Sequence, residues 1–187
     1  MSLKERLSRF CSFWIFPSLS LVLILFTRNA SGTYRFSDLL WLVPMGLLIW
    51  TVLEYFFHRV LFHTHFRRPW LREIVNRSHL SHHAAPRDPK QILVIPSFGL
   101  VVSAAIYPIL FVLTRNLFTA SGIISGIWLG FLYYEAVHYR VHMSLRDSPL
   151  LRHQRRAHFY HHFSNPHSCY GVTSPLWDHV FRSYRPD

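Results

Sequence analysis

Apolar positions along this chain fall into four long runs, and the segments between and after them are polar and mostly basic. The first run, Phe13 to Phe26, is interrupted only by Pro17 and small serines, and with its flank it covers about 13–27. The second covers 39–62 and contains Pro44 and Gly46; the third covers 92–113 with Pro96 and Pro108; the fourth covers 117–137. About twenty apolar residues in a helix cross a bilayer core, so the pattern predicts four transmembrane helices, the first a short one. The prolines are expected as kinks or ends, which membrane helices tolerate. Between the runs lie a polar turn at 28–37, a loop at 63–90 and a tight turn at Thr114-Arg115-Asn116; a polar, aromatic tail occupies 138–187. The expected fold is all-α and membrane-integral, with residues 1–187 as a single membrane-embedded domain. In the fourth run, Gly122, Gly126 and Gly130 recur every four residues. That spacing suits the close approach of another helix; a groove for a lipid chain is the alternative use.

Charge fixes the expected orientation. Half the residues are hydrophobic, 17% are aromatic, and the formal charge is +11. Such basicity can signal nucleic-acid binding. Here the basic residues flank apolar spans, so no nucleic-acid partner is expected. They suit topology and anionic lipid headgroups instead. Of the twenty Lys and Arg, all except Arg28, Arg35 and Arg115 lie in residues 1–12, in or beside the 63–90 loop, or in the tail. The positive-inside rule then puts both termini, the loop and the tail in the cytoplasm, as four spans require. Cys11 and Cys169 form no redox or metal motif, and a disulfide framework is excluded. The first run lacks a small-residue cleavage site, so it is not expected to be a removed signal. The C-terminus shows no retrieval or lipidation motif.

The polar segments carry the chemistry. Ten of the fourteen histidines fall in four compact groups: His58 and His63; His79, His82 and His83; His138 and His142; His158, His161 and His162. Side chains three or four apart share a helix face, and neutral imidazole is the commonest side-chain metal ligand. A closed structural zinc site takes four ligands, typically with cysteines. Ten imidazoles point to two ions with five each, which leaves an octahedral ion one position for water, oxygen or substrate. The charge pattern and the histidines, read from different residues, put this chemistry on one side of the membrane. His65, His153, His167 and His179 are expected to be non-ligands. Glu54 and Glu135 sit inside apolar runs, four residues before His58 and three before His138. They are candidates to orient a metal-bound imidazole; pairing with a nearby arginine is the equal alternative. Asp178 is a third candidate for the orienting role.

The ordered pattern H-x4-H, H-x2-HH, H-x3-H, H-x2-HH resembles the fatty acid hydroxylase and sterol desaturase superfamily, most of all the hydroxylase domain of fatty acid 2-hydroxylases. Matching stretches run from Glu54 to His63, from His79 through Pro86, from Tyr134 to Tyr139 and from Tyr170 to Asp178. The resemblance covers about residues 50–187. It implies four spans, a cytosolic helical cap and a histidine-rich dimetal site, and it makes the chain a membrane oxygenase that hydroxylates a lipid acyl chain with O2. One metal would use His58, His63, His79, His83 and His161; the other would use His82, His138, His142, His158 and His162. The ions implied are two irons, with zinc able to occupy the site on purification. No fused cytochrome b5 domain is evident, so electrons are expected from a separate donor of cytochrome b5 or ferredoxin type with its reductase. The short chain favours a bacterial inner membrane over the endoplasmic reticulum. Two other functions compete: a carotenoid or sterol hydroxylase or desaturase of the same superfamily, and a non-catalytic zinc-binding membrane protein.

Overall fold

The computed structural model describes residues 10–31, 35–94, 96–146 and 148–186, and no strand occurs among them. The basic lead-in with Lys4, Arg6 and Arg9 lies outside the described residues. Helix α1 is Ser12–Ser31, and a short 3₁₀ turn at Phe36–Asp38 leads into α2, Leu39–Phe56. A π-helical turn, Phe57–Phe62, prolongs α2. Helix α3, Pro69–Val75, passes through a second π-helical turn, Asn76–Leu80, into α4, Ser81–Ala84. Then come α5, Pro89–Ile92; α6, Pro96–Thr114; α7, Leu117–Met143; α8, Pro149–Phe163; and α9, Leu176–Val180.

Local chemistry explains several of these boundaries. Pro89 and Pro149 each occupy the first turn of a helix, where a missing N–H costs nothing. Asp88 and Ser148 precede them, and their side chains accept the Lys90 and Leu151 amides at 2.9 and 3.2 Å. Asn116 does the same for α7, accepting the Thr119 amide at 2.8 Å.

Four stretches are long and apolar enough to cross a membrane: Ser12–Ala30, Phe36–Phe62, Pro89–Thr114 and Leu117–Met143. The last runs past residue 137, so His138 and His142 ride on the same helix as the span. Across the most apolar part of each span, 78% of the fourth is buried but only 11–12% of the other three. Helix α7 is therefore the inner one. The outer helices display Trp14, Leu21, Val22, Trp41, Leu48, Val101 and Leu113. So much exposed apolar surface suits a hydrocarbon solvent.

By contacts the chain forms two compact units. The first comprises the described residues of Met1–Trp50 and Ile95–Leu132. Within it the glycine stripe of α7 is a packing face. Gly126 lies against Gly46 and Val43 of α2, Gly122 against Leu42, and Gly130 against Trp50. A Cβ on Gly126 would collide with the Val43 carbonyl, so these backbones touch only because both residues lack side chains. Phe16 of α1 packs on Trp128 and Phe131, with ring centroids 5.5 and 5.4 Å apart. Helix α6 joins through Trp128 Nε1, which donates to Ser103 Oγ at 2.7 Å, and through Tyr107 and Ser121, whose hydroxyls lie 3.0 Å apart.

The second unit comprises Thr51–Val94 and Tyr133–Asp187 and contains every histidine. Tyr55 is buried at its centre, 2.9 Å from Ser183 Oγ and stacked on Phe181 at 5.3 Å. Trp177 Nε1 donates to Thr51 Oγ1 at 3.0 Å. The end of α2 and the C-terminal tail are thus locked together within this unit.

Candidate metal centre

His58 and His63 are five residues apart, a spacing that an α-helix would send to different faces. Both are brought to one cluster because Phe57–Phe62 is π-helical. Its i→i+5 hydrogen bonds place such residues one above the other. On the Asn76–Leu80 and Ser81–Ala84 turns, His79 and His83 face one way and His82 the other. Helix α8 does likewise with His161 on one side and His158 and His162 on the other.

The result is two groups of five. His58, His63, His79, His83 and His161 bring one nitrogen each to within 4.8 Å of one another, and so do His82, His138, His142, His158 and His162. In the first group, the Nε2 of His79 lies 3.1 Å from His58, 3.1 Å from His63 and 2.9 Å from His83, and His83 lies 3.1 Å from His161. In the second, His158 Nε2 is 3.1 Å from His138 and 2.8 Å from His142, which is 3.1 Å from His82. Neighbouring corners of an octahedron with metal–nitrogen bonds of about 2.1 Å stand about 3.0 Å apart. Imidazole lone pairs repel at that separation unless a cation or a proton lies among them. Each donor set therefore fits a divalent ion of the borderline kind that imidazole prefers.

Burial keeps these rings neutral and ready to ligate. His58, His79, His82, His138, His158 and His161 are buried. Loss of solvent, helped by neighbouring imidazoles, pushes His63 down to about 4 and His82 to about 3; burial alone takes His83 to about 4. The same causes hold His79, His158, His161 and His162 below the ordinary histidine range.

Two of the carboxylates bond to the loop that faces the first group. Asp178, fully buried, accepts the Tyr170 and Gly171 amides at 2.9 and 2.7 Å and the Ser183 hydroxyl at 2.7 Å. Glu54 accepts the Val172 and Thr173 amides at 2.8 Å each and the Thr173 hydroxyl at 2.5 Å. The loop so held turns two carbonyls to the cluster. Tyr170 O accepts from His58 Nδ1, and Ser168 O accepts from His161 Nδ1 at 2.8 Å. Gly171 has no room for a Cβ, which would meet the Ser174 carbonyl and Asp178 Oδ2. Glu135 differs: one oxygen accepts the Val94 amide at 3.1 Å, and the other is buried without a partner among the described residues. Backbone carbonyls leave no mark in a sequence, so this link was not legible. The only hint was the Tyr170–Asp178 stretch among the motifs. His65, His153, His167 and His179 lie outside both groups; His153 and His179 pack beside Tyr184.

A match to the fatty acid hydroxylase family covers residues 43–183, which takes in all ten clustered histidines and the loop behind them. The chain belongs to the fatty acid hydroxylase family. It is 31% identical over 170 residues to a dihydroceramide fatty acyl 2-hydroxylase of Arabidopsis thaliana, covering 90% of this chain and 71% of that one. It is 32% identical over 168 residues to a fatty acid 2-hydroxylase of Rattus norvegicus, covering 87% and 44%. Its fold superposes on the hydroxylase domain visible in a structure of full-length Scs7p with a TM-score of 0.79 and 27% identity, covering all of this chain and 71% of that one. These relatives come from eukaryotes and lend nothing to the expectation of a bacterial membrane. Membership of the fatty acid hydroxylase family fits a metal-dependent membrane enzyme working on a lipid.

Proposed function

We propose that this chain hydroxylates the acyl chain of a membrane lipid, using O2, two iron ions and electrons from a separate donor. The observation that carries the reading is the pair of five-imidazole groups with nitrogens at octahedral spacing. His58, His63, His79, His83 and His161 would hold one ion; His82, His138, His142, His158 and His162 would hold the other. When bound, the ions supply the O2 activation that no side chain can provide. The overall balance is R–H + O2 + 2 e⁻ + 2 H⁺ → R–OH + H2O, so two electrons must come from outside. A protein of cytochrome b5 or ferredoxin type with its reductase would deliver them.

The protein's own contribution is placement. Neutral, buried imidazoles present lone pairs without competing protons. The loop at Ser168–Thr173 fixes the tautomers of His58 and His161. Glu54 and Asp178 hold that loop, while Glu135 ties the backbone at Val94 to α7. The relatives are named for acting on dihydroceramide and on fatty acids at the 2-position, and an acyl chain of that kind is the substrate we assign. The basic loop and tail support a cytoplasmic site with both termini on the same side, and we take residues 1–187 to work as one domain.

Comparative lipid mass spectrometry tests the reading, with cells expressing either the wild type or His161→Ala and a donor system supplied. A lipid gaining one oxygen only with the wild type is expected. Loss of two hydrogens would move the chain to the desaturase branch. No difference across several donors would favour a non-catalytic zinc protein. Zinc in the purified protein would not count against iron, because zinc outcompetes ferrous ion at nitrogen ligands.

A further inference from the structure

The two histidine groups are held from behind in different ways. In the first, His58 and His161 are anchored at the nitrogen facing away from the cluster, on the carbonyls of Tyr170 and Ser168. Both carbonyls belong to one loop, and Glu54 and Asp178, each buried, grip its amides at Tyr170, Gly171, Val172 and Thr173. In the second group, Nδ1 of His82, His138, His158 and His162 is buried with no partner among the described residues. In each group three histidines are buried and two half-buried, and in the second His142 lines a cavity of about 340 Å³ together with Arg87, Met143, Leu145 and Phe159.

Anchoring matters for metal retention. An imidazole that donates its outer N–H to a carbonyl is locked in one tautomer and made a stronger ligand, and losing such a partner typically costs about 10–100-fold in affinity. A ring without such an anchor has no fixed tautomer and is the weaker ligand, so water replaces it at the ion more readily.

We propose that the two positions hold their ions unequally: the group of His58 and His161 retains its ion, while the group of His142 exchanges its ion with solvent. Glu54 and Asp178 are then positioning residues for the first ion, acting through the Ser168–Thr173 loop. The cavity at His142 gives small molecules a route to the second ion. This rests on the dimetal reading above.

The test is release of zinc from the purified full-length chain in detergent, after loading with zinc and challenge with a chelator. Two equivalents per chain should leave in two phases whose rates differ by at least about tenfold. His142→Ala should remove the fast equivalent and keep the slow one. Asp178→Asn keeps the residue's size but replaces one acceptor with a donor. It should speed the slow phase about 10–100-fold and leave the fast phase unchanged. Glu54→Gln provides the same comparison if the Asp178 variant does not fold, as judged by helicity and elution. A merely structural lesion would speed both phases together. Release of both equivalents in one phase overturns the proposal, as does equal acceleration of both phases by the two carboxylate variants, or loss of the slow equivalent in His142→Ala. Those outcomes leave the dimetal reading standing. A wild type that takes up no zinc overturns both.

Discussion

At the scale of the residue, a histidine became a candidate ligand by its spacing, but burial is what fits it for the role. Exposed histidine titrates near 6.5, whereas desolvation takes His63 and His83 down to about 4. Between those values the unfolded chain binds protons that the folded one refuses. The stability these groups contribute is therefore complete above about pH 6.5 and lost as pH falls through the range below it. Protons also compete with metal for the same nitrogens. The metal-free protein in detergent should melt at a lower temperature near pH 5 than at about pH 7.5, and the loaded protein should lose zinc over the same interval. A higher melting temperature at the acid end would show that these imidazoles are not kept neutral by burial. The carboxylates carry a different lesson. Glu54 was noticed because it is an acid in an apolar run, but its partners lie 118 and 119 residues away on the tail. Sequence spacing singled out Glu54 beside His58 and gave no sign of its bonds to the tail.

At the scale of the element, hydropathy picked out four stretches that fold as helices long and apolar enough to cross a membrane, because the length needed to cross hydrocarbon is a strong constraint. It fell short where the helices change character. The end of α2 is π-helical from Phe57 to Phe62, and α7 continues unbroken to Met143. Apolar periodicity cannot separate a π turn from an α turn over six residues. The five-residue gap between His58 and His63 was the available signal, and it has meaning only once a shared target is assumed. The glycine stripe was more legible: Gly122, Gly126 and Gly130 face α2 at Leu42, Val43, Gly46 and Trp50. Gly126→Leu would force α2 and α7 apart. Overpacking of this kind costs about 1–3 kcal/mol or more, so this variant should melt earlier in detergent while its zinc content per folded chain stays at the wild-type level. An unchanged melting temperature would mean that the contact between Gly126 and Gly46 contributes little.

At the scale of the whole molecule, one sequence serves two solvents. The described residues of Met1–Trp50 and Ile95–Leu132 expose many apolar side chains and bury an apolar interior of glycines and large rings such as Phe16 and Phe118. The unit formed from Thr51–Val94 and Tyr133–Asp187 buries histidines and acids. Acids and imidazoles in a dry interior are expensive unless each has a partner or a cation, and two ions would supply what ten neutral imidazoles lack. The fatty acid hydroxylase family provides the reaction to which such a centre is suited. The most direct test is to follow the oxygen itself. Cells expressing the wild type, with an electron donor, would be grown under O2 enriched in the heavy isotope, and their lipids compared by mass spectrometry. A hydroxylated acyl chain carrying one heavy oxygen, absent with His161→Ala, is the predicted result. A hydroxyl whose oxygen comes from water, or no wild-type-dependent product at all, would contradict an O2-dependent lipid hydroxylase.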